Sequence, residues 1–322
     1  MTSAHDVHGL IVELVAEDEA VGAAVRQRLR RFPAAPPGGA SARFEYHSVA
    51  EDAPHAVARP SGPSRPVYDP PAGEVLHFPE ADAFLIDYED RVRVVCEPGA
   101  RRVAISVRPS EASNLWLLSR PMFTLPMLEL AKRHGLYGLH AAAAARNGRG
   151  LLLPGASGSG KSTLTIALAG GGFDVLGDDL VFLSDTAGAV DALAFTDDID
   201  VTEATAALFP ALKAELGGPA DPGYPKRAVA PDDDLGAPVA TSCRPVALVF
   251  PSVASAGDST LLPLDPAEAL LRLAPDVLMT DPAAAQAHLD VLGRLVRQCS
   301  CWRLEAGRDL DAVPSLLAPL LG

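Results

Sequence analysis

Cysteine, lysine, aromatic residues and long apolar runs are all scarce in this chain, and each shortage narrows what the chain can be. Four cysteines in 322 residues cannot staple a disulfide-built scaffold, so a reducing, cytoplasmic setting is expected. No apolar stretch reaches the roughly 18 residues of a membrane-spanning helix. The opening MTSAHDVHGLIVELVAEDEA has no basic region before its apolar run and turns acidic at once, unlike a secretory signal. Positive charge is short as well: 27 Lys and Arg face 41 Asp and Glu, a formal net charge of −14. A surface of that sign repels phosphate backbones and anionic lipid heads, so neither nucleic acid nor a membrane is expected as partner. Lysine stands only at positions 132, 161, 213 and 226, so each one invites a question. The alanine runs carry no functional message.

What is abundant is core material. Hydrophobic residues make up 48% and charged residues 21% of the chain, enough for one large or two ordinary globular domains. His8–Val15 reads as a strand and Glu17–Arg31 as a helix with a basic C-terminal end. Prolines and glycines crowd residues 32–74 and predict a long loop, with a short strand at Phe44–Ser48. Strands are expected at Ala83–Asp87, Arg91–Cys96 and Arg101–Val107, which makes residues 1–113 a small α+β module. From Asn114 the texture changes, and residues 114–322 read as a second domain. Apolar residues at helical spacing over Leu115–Arg133, broken at Pro121 and Pro126, predict two helices. Strands at Leu136–Ala145 and Gly150–Leu153 meet at Asn147-Gly148, a hairpin signal. A helix over Lys161–Ala169 and a strand over Phe173–Asp179 follow. Thr202–Leu216, interrupted at Pro210, and Ala283–Arg297 read as helices, Cys243–Phe250, Thr260–Leu264 and Cys301–Leu304 as strands, and a last helix starts near Asp309. Strands alternating with helices imply an α/β core with a mixed sheet.

One segment carries chemistry in its spacing. Gly155-Ala156-Ser157-Gly158-Ser159-Gly160-Lys161-Ser162 fits G-x-x-x-x-G-K-S/T and is followed by Thr163. With 27 glycines and four lysines in the chain, chance supplies roughly 0.003 such matches. The glycines let successive backbone N–H groups turn inward around phosphate oxygens, and the loop delivers its anion to the N-terminus of the next helix. Lys161 can reach the outer phosphates of a nucleotide, and the Ser162 hydroxyl can ligate magnesium. The context fits: apolar Leu151–Leu153 precedes the loop, and Leu164, Ala167 and Leu168 follow on one helix face.

Asp178-Asp179 interrupts two apolar segments soon after that helix. Adjacent carboxylates beside a phosphate loop can divide the work, one on the metal and one taking a proton from an incoming hydroxyl. His140 closes the apolar run Leu136-Tyr-Gly-Leu-His; a strand beside the loop's own strand would bring it to the phosphates. In Lys226-Arg227 a basic side chain could clamp the transferred group, Arg227 ahead of Lys226 because its fork fits phosphate. Cys299 and Cys301, two apart on an expected strand, have no second close pair and no histidine at ligand spacing, so core packing is expected rather than metal.

In order and spacing, Leu139-His140, GASGSGKST and Leu176-Gly-Asp-Asp-Leu-Val resemble the C-terminal catalytic domain of bacterial HPr kinase/phosphorylase and its relatives. The close match covers about fifty residues. The resemblance implies a phosphoenolpyruvate-carboxykinase-like P-loop fold and transfer of the γ-phosphoryl group of ATP to a serine-type hydroxyl. It implies Asp178 as the base that activates the acceptor, with His140 to orient it. Asp179 and Ser162 would hold Mg2+, and Lys161 the β- and γ-phosphates. HPr kinases have Lys-Ser-Glu where this chain has Lys161-Ser162-Thr163, and their Arg/Gly/Ile-rich segment after the aspartates has no counterpart here. The nearer resemblance is to HPr-kinase-like proteins of peptide modification, some of which phosphorylate a serine of a precursor peptide.

The expectation is therefore a cytoplasmic Mg2+- and ATP-dependent kinase whose acceptor is a hydroxyl on a peptide, a protein or a small molecule. The alternative is an ATP-binding regulator that signals to a protein partner without transferring anything. A simple hydrolase is less attractive, because no water-positioning glutamine stands out. Whether the chain forms a homo-oligomer is left open.

Overall fold

The computed structural model describes residues 1–36, 39, 41–68, 74–195, 198–210, 212, 226–254 and 256–322. By contact the chain divides into two compact units, Met1–His134 with Thr280–Ala285, and Gly135–Met279 with Gln286–Gly322. The division falls at His134/Gly135 rather than at 113/114, because the helices read as the start of the second domain pack on the first unit's sheet.

That sheet has eight strands, more than a small module. β1 (Thr2–Val7) and β2 (Leu10–Ala16) form a hairpin, followed by α1 (Glu19–Arg28), β3 (Ala42–Ser48), β4 (Arg65–Tyr68), β5 (Val75–Phe78), β6 (Ala83–Tyr88), β7 (Val92–Glu97) and β8 (Arg102–Val107). Their spatial order is β1-β2-β3-β8-β7-β6-β5-β4; β3 runs parallel to both β2 and β8, and the other pairs are antiparallel. The single strand read at His8–Val15 is thus one arm of a hairpin. His8 and Gly9, both at positive φ, make its turn. β4 and β5 arise in or beside the Pro/Gly-rich segment, part of which (37, 38, 40 and 69–73) lies outside the described residues.

α2 (Leu115–Ser119) and α3 (Pro121–Lys132) follow. Pro121 opens α3, where a missing N–H costs nothing, but Pro126 sits inside the helix rather than ending it. Burial outweighs the lost backbone bond: Phe123 packs on Phe44 with centroids 4.8 Å apart, and Tyr46 donates its hydroxyl to Leu118 O at 2.9 Å. At the end of α3 the Lys132 ammonium donates to both Glu129 oxygens (2.8 and 2.9 Å) and to Thr280 Oγ1 (2.6 Å), with Glu129 and Lys132 both buried. Arg133 donates to Asp281 Oδ2 at 2.7 Å. These bonds hold the distant Thr280–Ala285 segment in the first unit.

The second unit contains β9 (Tyr137–Leu139), β10 (Ala141–Arg146), β11 (Arg149–Pro154), α4 (Lys161–Gly170), β12 (Asp174–Gly177), β13 (Val181–Thr186), β14 (Ala189–Ala194), β15 (Ile199–Val201), α5 (Glu203–Ala206), β16 (Arg227–Val229), β17 (Ser242–Val253), β18 (Thr260–Pro263) and α6 (Pro266–Leu273). Then come α7 (Pro282–Gln298), which begins in the Thr280–Ala285 segment, β19 (Ser300–Ala306) and α8 (Val313–Leu317). A nine-stranded mixed sheet runs β12-β10-β11-β17-β14-β13-β9, with β19 parallel to β17 and β18 on β19. Asn147 (φ 53°) and Gly148 (φ 74°) form the expected hairpin turn between β10 and β11. Within the range read as a helix over Thr202–Leu216, α5 ends at Ala206 and Pro210 and Leu212 are helical again; 211 and 213–216 lie outside the described residues.

Side-chain alternation splits this unit's core between the two sheet faces. Leu151 and Leu153 of β11 join Leu164, Leu168, Phe173, Val249 and Leu317 on one face. Leu152 joins Leu139, Leu248, Leu292 and Leu295 on the other. The alanines of β10 also alternate between the two clusters, and their small side chains let α4 pack over the strand. So the alanine run has a structural use.

Among the described residues no helix is long and apolar enough to cross a membrane. All four cysteines are free and buried, so Cys299 and Cys301 are core residues, as expected. Lys132→Met should destabilise the first unit by about 3–5 kcal/mol, because it strands the buried Glu129 carboxylate. The double variant Lys132→Met/Glu129→Gln should recover most of that loss in urea denaturation. A single variant as stable as the parent would show that the buried pair holds nothing.

Candidate functional site

β11 ends at Pro154, and the glycine-rich segment carries the chain over residues 155–160 to α4, which opens at Lys161. Gly158 and Gly160 have φ of 84° and 98°, a region that L side chains rarely adopt. A Cβ at Gly158 would meet nothing within 4 Å, and one at Gly160 would meet only Val253. The glycines are thus required by backbone torsion, and the space above the loop is open. Ala156, Ser157 and Gly158 are exposed at its crest, while Ser162 and Thr163 sit half-buried in the first turn of α4.

Lys161 is buried, and its ammonium folds back onto the loop. It donates to Gly155 O, to Ala156 O at 3.2 Å and to His140 Nε2 at 2.9 Å. Burial pulls the Lys161 pKa down, opposed by the charges of Asp179, Asp276 and Asp178. An ammonium has no lone pair to offer, so His140 Nε2 is the acceptor and the ring proton sits on Nδ1. That nitrogen lies 3.3 Å from Asp179 Oδ1. His140 owes its place to a break in what the sequence reads as one strand. The chain leaves β9, which pairs with β13, and enters β10, which pairs with β11 and β12. His140 occupies the joint, its N–H donating to Asp276 O at 2.8 Å.

Asp178 and Asp179 stand between β12 and β13 in opposite environments. Asp178 is only 4% exposed, and both its oxygens take hydroxyl bonds from α4: Ser162 Oγ to Oδ2 at 2.7 Å and Thr165 Oγ1 to Oδ1 at 2.9 Å. Burial pushes its carboxyl up to about 6, against the pull of those two bonds. The Asp179 side chain is 69% exposed. The sequence reading sets His140 beside Asp178; the structure sets it beside Asp179. Asp178 already has both oxygens engaged beneath α4, so only its neighbour is left to face the ring.

The structure thus brings together Lys161, Ser162, Asp178, Asp179 and His140. Of the basic pair, Lys226 is the residue whose charge bears on Lys161. Arg227 lies in β16, opposite Val201 of β15. Two residues of the site escaped the sequence reading. Thr165 is one helical turn beyond Ser162, a spacing that could have flagged it. Asp276 is buried, with its carboxyl raised by desolvation against the opposing charge of Lys161. No local pattern marks it, since it meets His140 only through the fold. Elsewhere His55, Asp87 and Asp90 lie close enough to hold a metal, but Arg93 and Arg108 already pair with those carboxylates. That cluster is an ion-pair network.

The residues present fit a phosphate-bearing ligand with magnesium. Ser159 Oγ is buried with no hydrogen-bond partner, and Lys161 spends its donors on carbonyls of the loop itself. The Ser162 hydroxyl and the Asp179 carboxylate are hard oxygen donors of the kind that suit Mg2+.

No protein-family model and no curated protein matches the chain. Among solved structures, the HPr(Ser) kinase/phosphatase from Coxiella burnetii is matched over 57% of this chain and 92% of that one, at 14% identity and a TM-score of 0.30. A likeness that distant fixes neither fold nor chemistry.

The raised Asp178 carboxyl has a consequence for stability. A proton held more tightly in the folded chain favours folding below the ordinary value of 3.8. That contribution is lost as pH climbs to about 6. Above it the buried charge is a net cost of about 2–3 kcal/mol. Asp178→Asn should therefore raise the thermal midpoint at pH 8, and raise it less at pH 5. A lower midpoint at pH 8 would mean that the hydroxyl bonds to the ionised carboxylate outweigh its desolvation.

Proposed function

We propose that this protein is a cytoplasmic Mg2+- and ATP-dependent kinase that transfers the γ-phosphoryl group to a hydroxyl on a peptide, a protein or a small molecule. Its second unit would be a P-loop core of the phosphoenolpyruvate-carboxykinase/HPr-kinase type. The reading is carried by one observation: the buried carboxylate of Asp178 accepts from Ser162, in the first turn of the helix that follows the glycine-rich loop. A loop that only bound nucleotide would need no carboxylate under its own helix, with a histidine, a second aspartate and a lysine joined beside it.

The backbone of residues 155–160 and the N-terminus of α4 receive the phosphates, and Thr163 completes that turn. Lys161 exchanges the Gly155 and Ala156 carbonyls for β- and γ-phosphate oxygens, which frees His140 Nε2. Ser162 and Asp179 would hold the magnesium ion, which when bound spreads the charge on those oxygens. Ser162 would ligate through a lone pair and keep its O–H on Asp178 Oδ2, and the remaining lone pair of that oxygen takes a proton. The acceptor's O–H proton passes to Asp178 as its oxygen bonds the γ-phosphorus, while the bond to the oxygen bridging the β- and γ-phosphorus breaks and ADP leaves with that electron pair. His140 steadies Asp179 through its Nδ1. Arg227 would clamp the transferred group.

ADP release measured with ATP and Mg2+, alone and with a panel of serine-bearing peptides, tests this. Turnover should rise with an acceptor. Lys161→Ala should lose nucleotide affinity and turnover together. Asp178→Asn should still bind Mg-ATP while transfer falls by about 10²–10⁴-fold. ATP binding with background turnover under every condition would instead favour the regulator.

A further inference from the structure

The hydroxyls of Ser162 and Thr165 stand one turn apart on α4 and hold one oxygen each of Asp178. Ser162 has another employment in the proposed reaction; Thr165 does not. Thr165 is 1% exposed, faces no solvent, and its Oγ1 is also 3.0 Å from Lys161 O, its own helical i−4 carbonyl. A threonine at such a position normally spends its one proton on that carbonyl. Here a second acceptor, Asp178 Oδ1, lies at 2.9 Å. The fold has brought the carboxylate into line with the helix's inner face, at the turn that follows the glycine-rich loop.

We infer that Thr165 is the positioning residue of the proposed kinase site: it keeps Oδ1 of Asp178 fixed, so that the carboxylate presents Oδ2 to the acceptor without swinging. The inference rests on the transfer reading above. Without Thr165, Asp178 would keep only the bond from Ser162 and have one buried oxygen unsatisfied. A buried carboxylate in that state turns toward whatever donor is near, Lys161 included. The residue acts through Asp178 and touches no substrate.

Thr165→Val and Thr165→Ser separate the hydroxyl from the shape, because valine keeps the volume and serine keeps the hydroxyl. Thr165→Val should bind Mg-ATP, and ATP in EDTA, within about twofold of the parent. Its acceptor-dependent ADP release should fall at least about tenfold, and Thr165→Ser should return it to within about threefold. A thermal double-mutant cycle on the nucleotide-free protein gives a readout independent of turnover. Thr165→Val should lower the melting midpoint in the parent and change it much less in Asp178→Ala. Additive midpoints, parental turnover in Thr165→Val, or a serine variant as impaired as valine would each overturn the inference. Absence of turnover in the parent with every acceptor would overturn the transfer reading and, with it, the catalytic consequence of the pair; the thermal cycle then decides whether the pair itself exists.

Discussion

The bond from Ser162 to the buried carboxylate of Asp178 organises the second unit's candidate site. It ties the first turn of α4 to the strand end after β12, so the glycine-rich loop and the aspartates cannot shift independently. Burying a carboxylate is unfavourable unless its oxygens are satisfied. Two hydroxyls of one helix satisfy them, yet desolvation still holds the carboxyl well above its ordinary value. A group in that state is strained toward gaining a proton. That is a poor arrangement for stability alone, and a useful one for a site that must take a proton from a hydroxyl.

The same economy of charge governs the rest of the site. Lys161 is a buried cation whose pull toward neutrality is resisted by three aspartates. Its ammonium rests on two carbonyls and one ring nitrogen, partners that a phosphate can replace. His140 cannot hold a proton on Nε2 while the lysine donates to it, so the position of Lys161 sets the tautomer of His140, and the ring passes that state on to Asp179. Loop, lysine, histidine and second aspartate are one connected chain of donors and acceptors, beside the carboxylate under α4.

How much of this could be read from the amino acids follows from the range of the forces involved. The glycine-rich segment is legible because its glycines answer to backbone torsions, which are local, and Asn147-Gly148 is legible for the same reason. The alternation of Leu151, Leu152 and Leu153 between two cores follows from the strand period alone. Pro126 misleads because burial of α3 outweighs a lost backbone bond, and propensity does not see burial. The break at His140 misleads because nothing between Leu136 and Ala145 announces it; the chain changes partners there, from β13 to β11 and β12, and pairing is a long-range choice. The partner of His140 is not legible because two adjacent aspartates look alike in sequence, and only the hydroxyls on α4 decide which is buried. Asp276 was out of reach altogether, 136 residues from the histidine whose N–H it accepts.

Thr165 sits between these extremes. Its spacing from Ser162 is a sequence fact; its meaning depends on a carboxylate that arrives from another strand. A helix that presents hydroxyls at i and i+3 on its buried face is unstable in isolation, since both compete for backbone carbonyls and neither adds apolar area. Such a face persists when something polar is brought against it. Read in that direction, the pair at 162 and 165 predicts a buried acceptor beneath α4, and the aspartate that follows β12 is the acceptor the fold supplies. The polar face of the helix and the buried charge of the loop each account for the other.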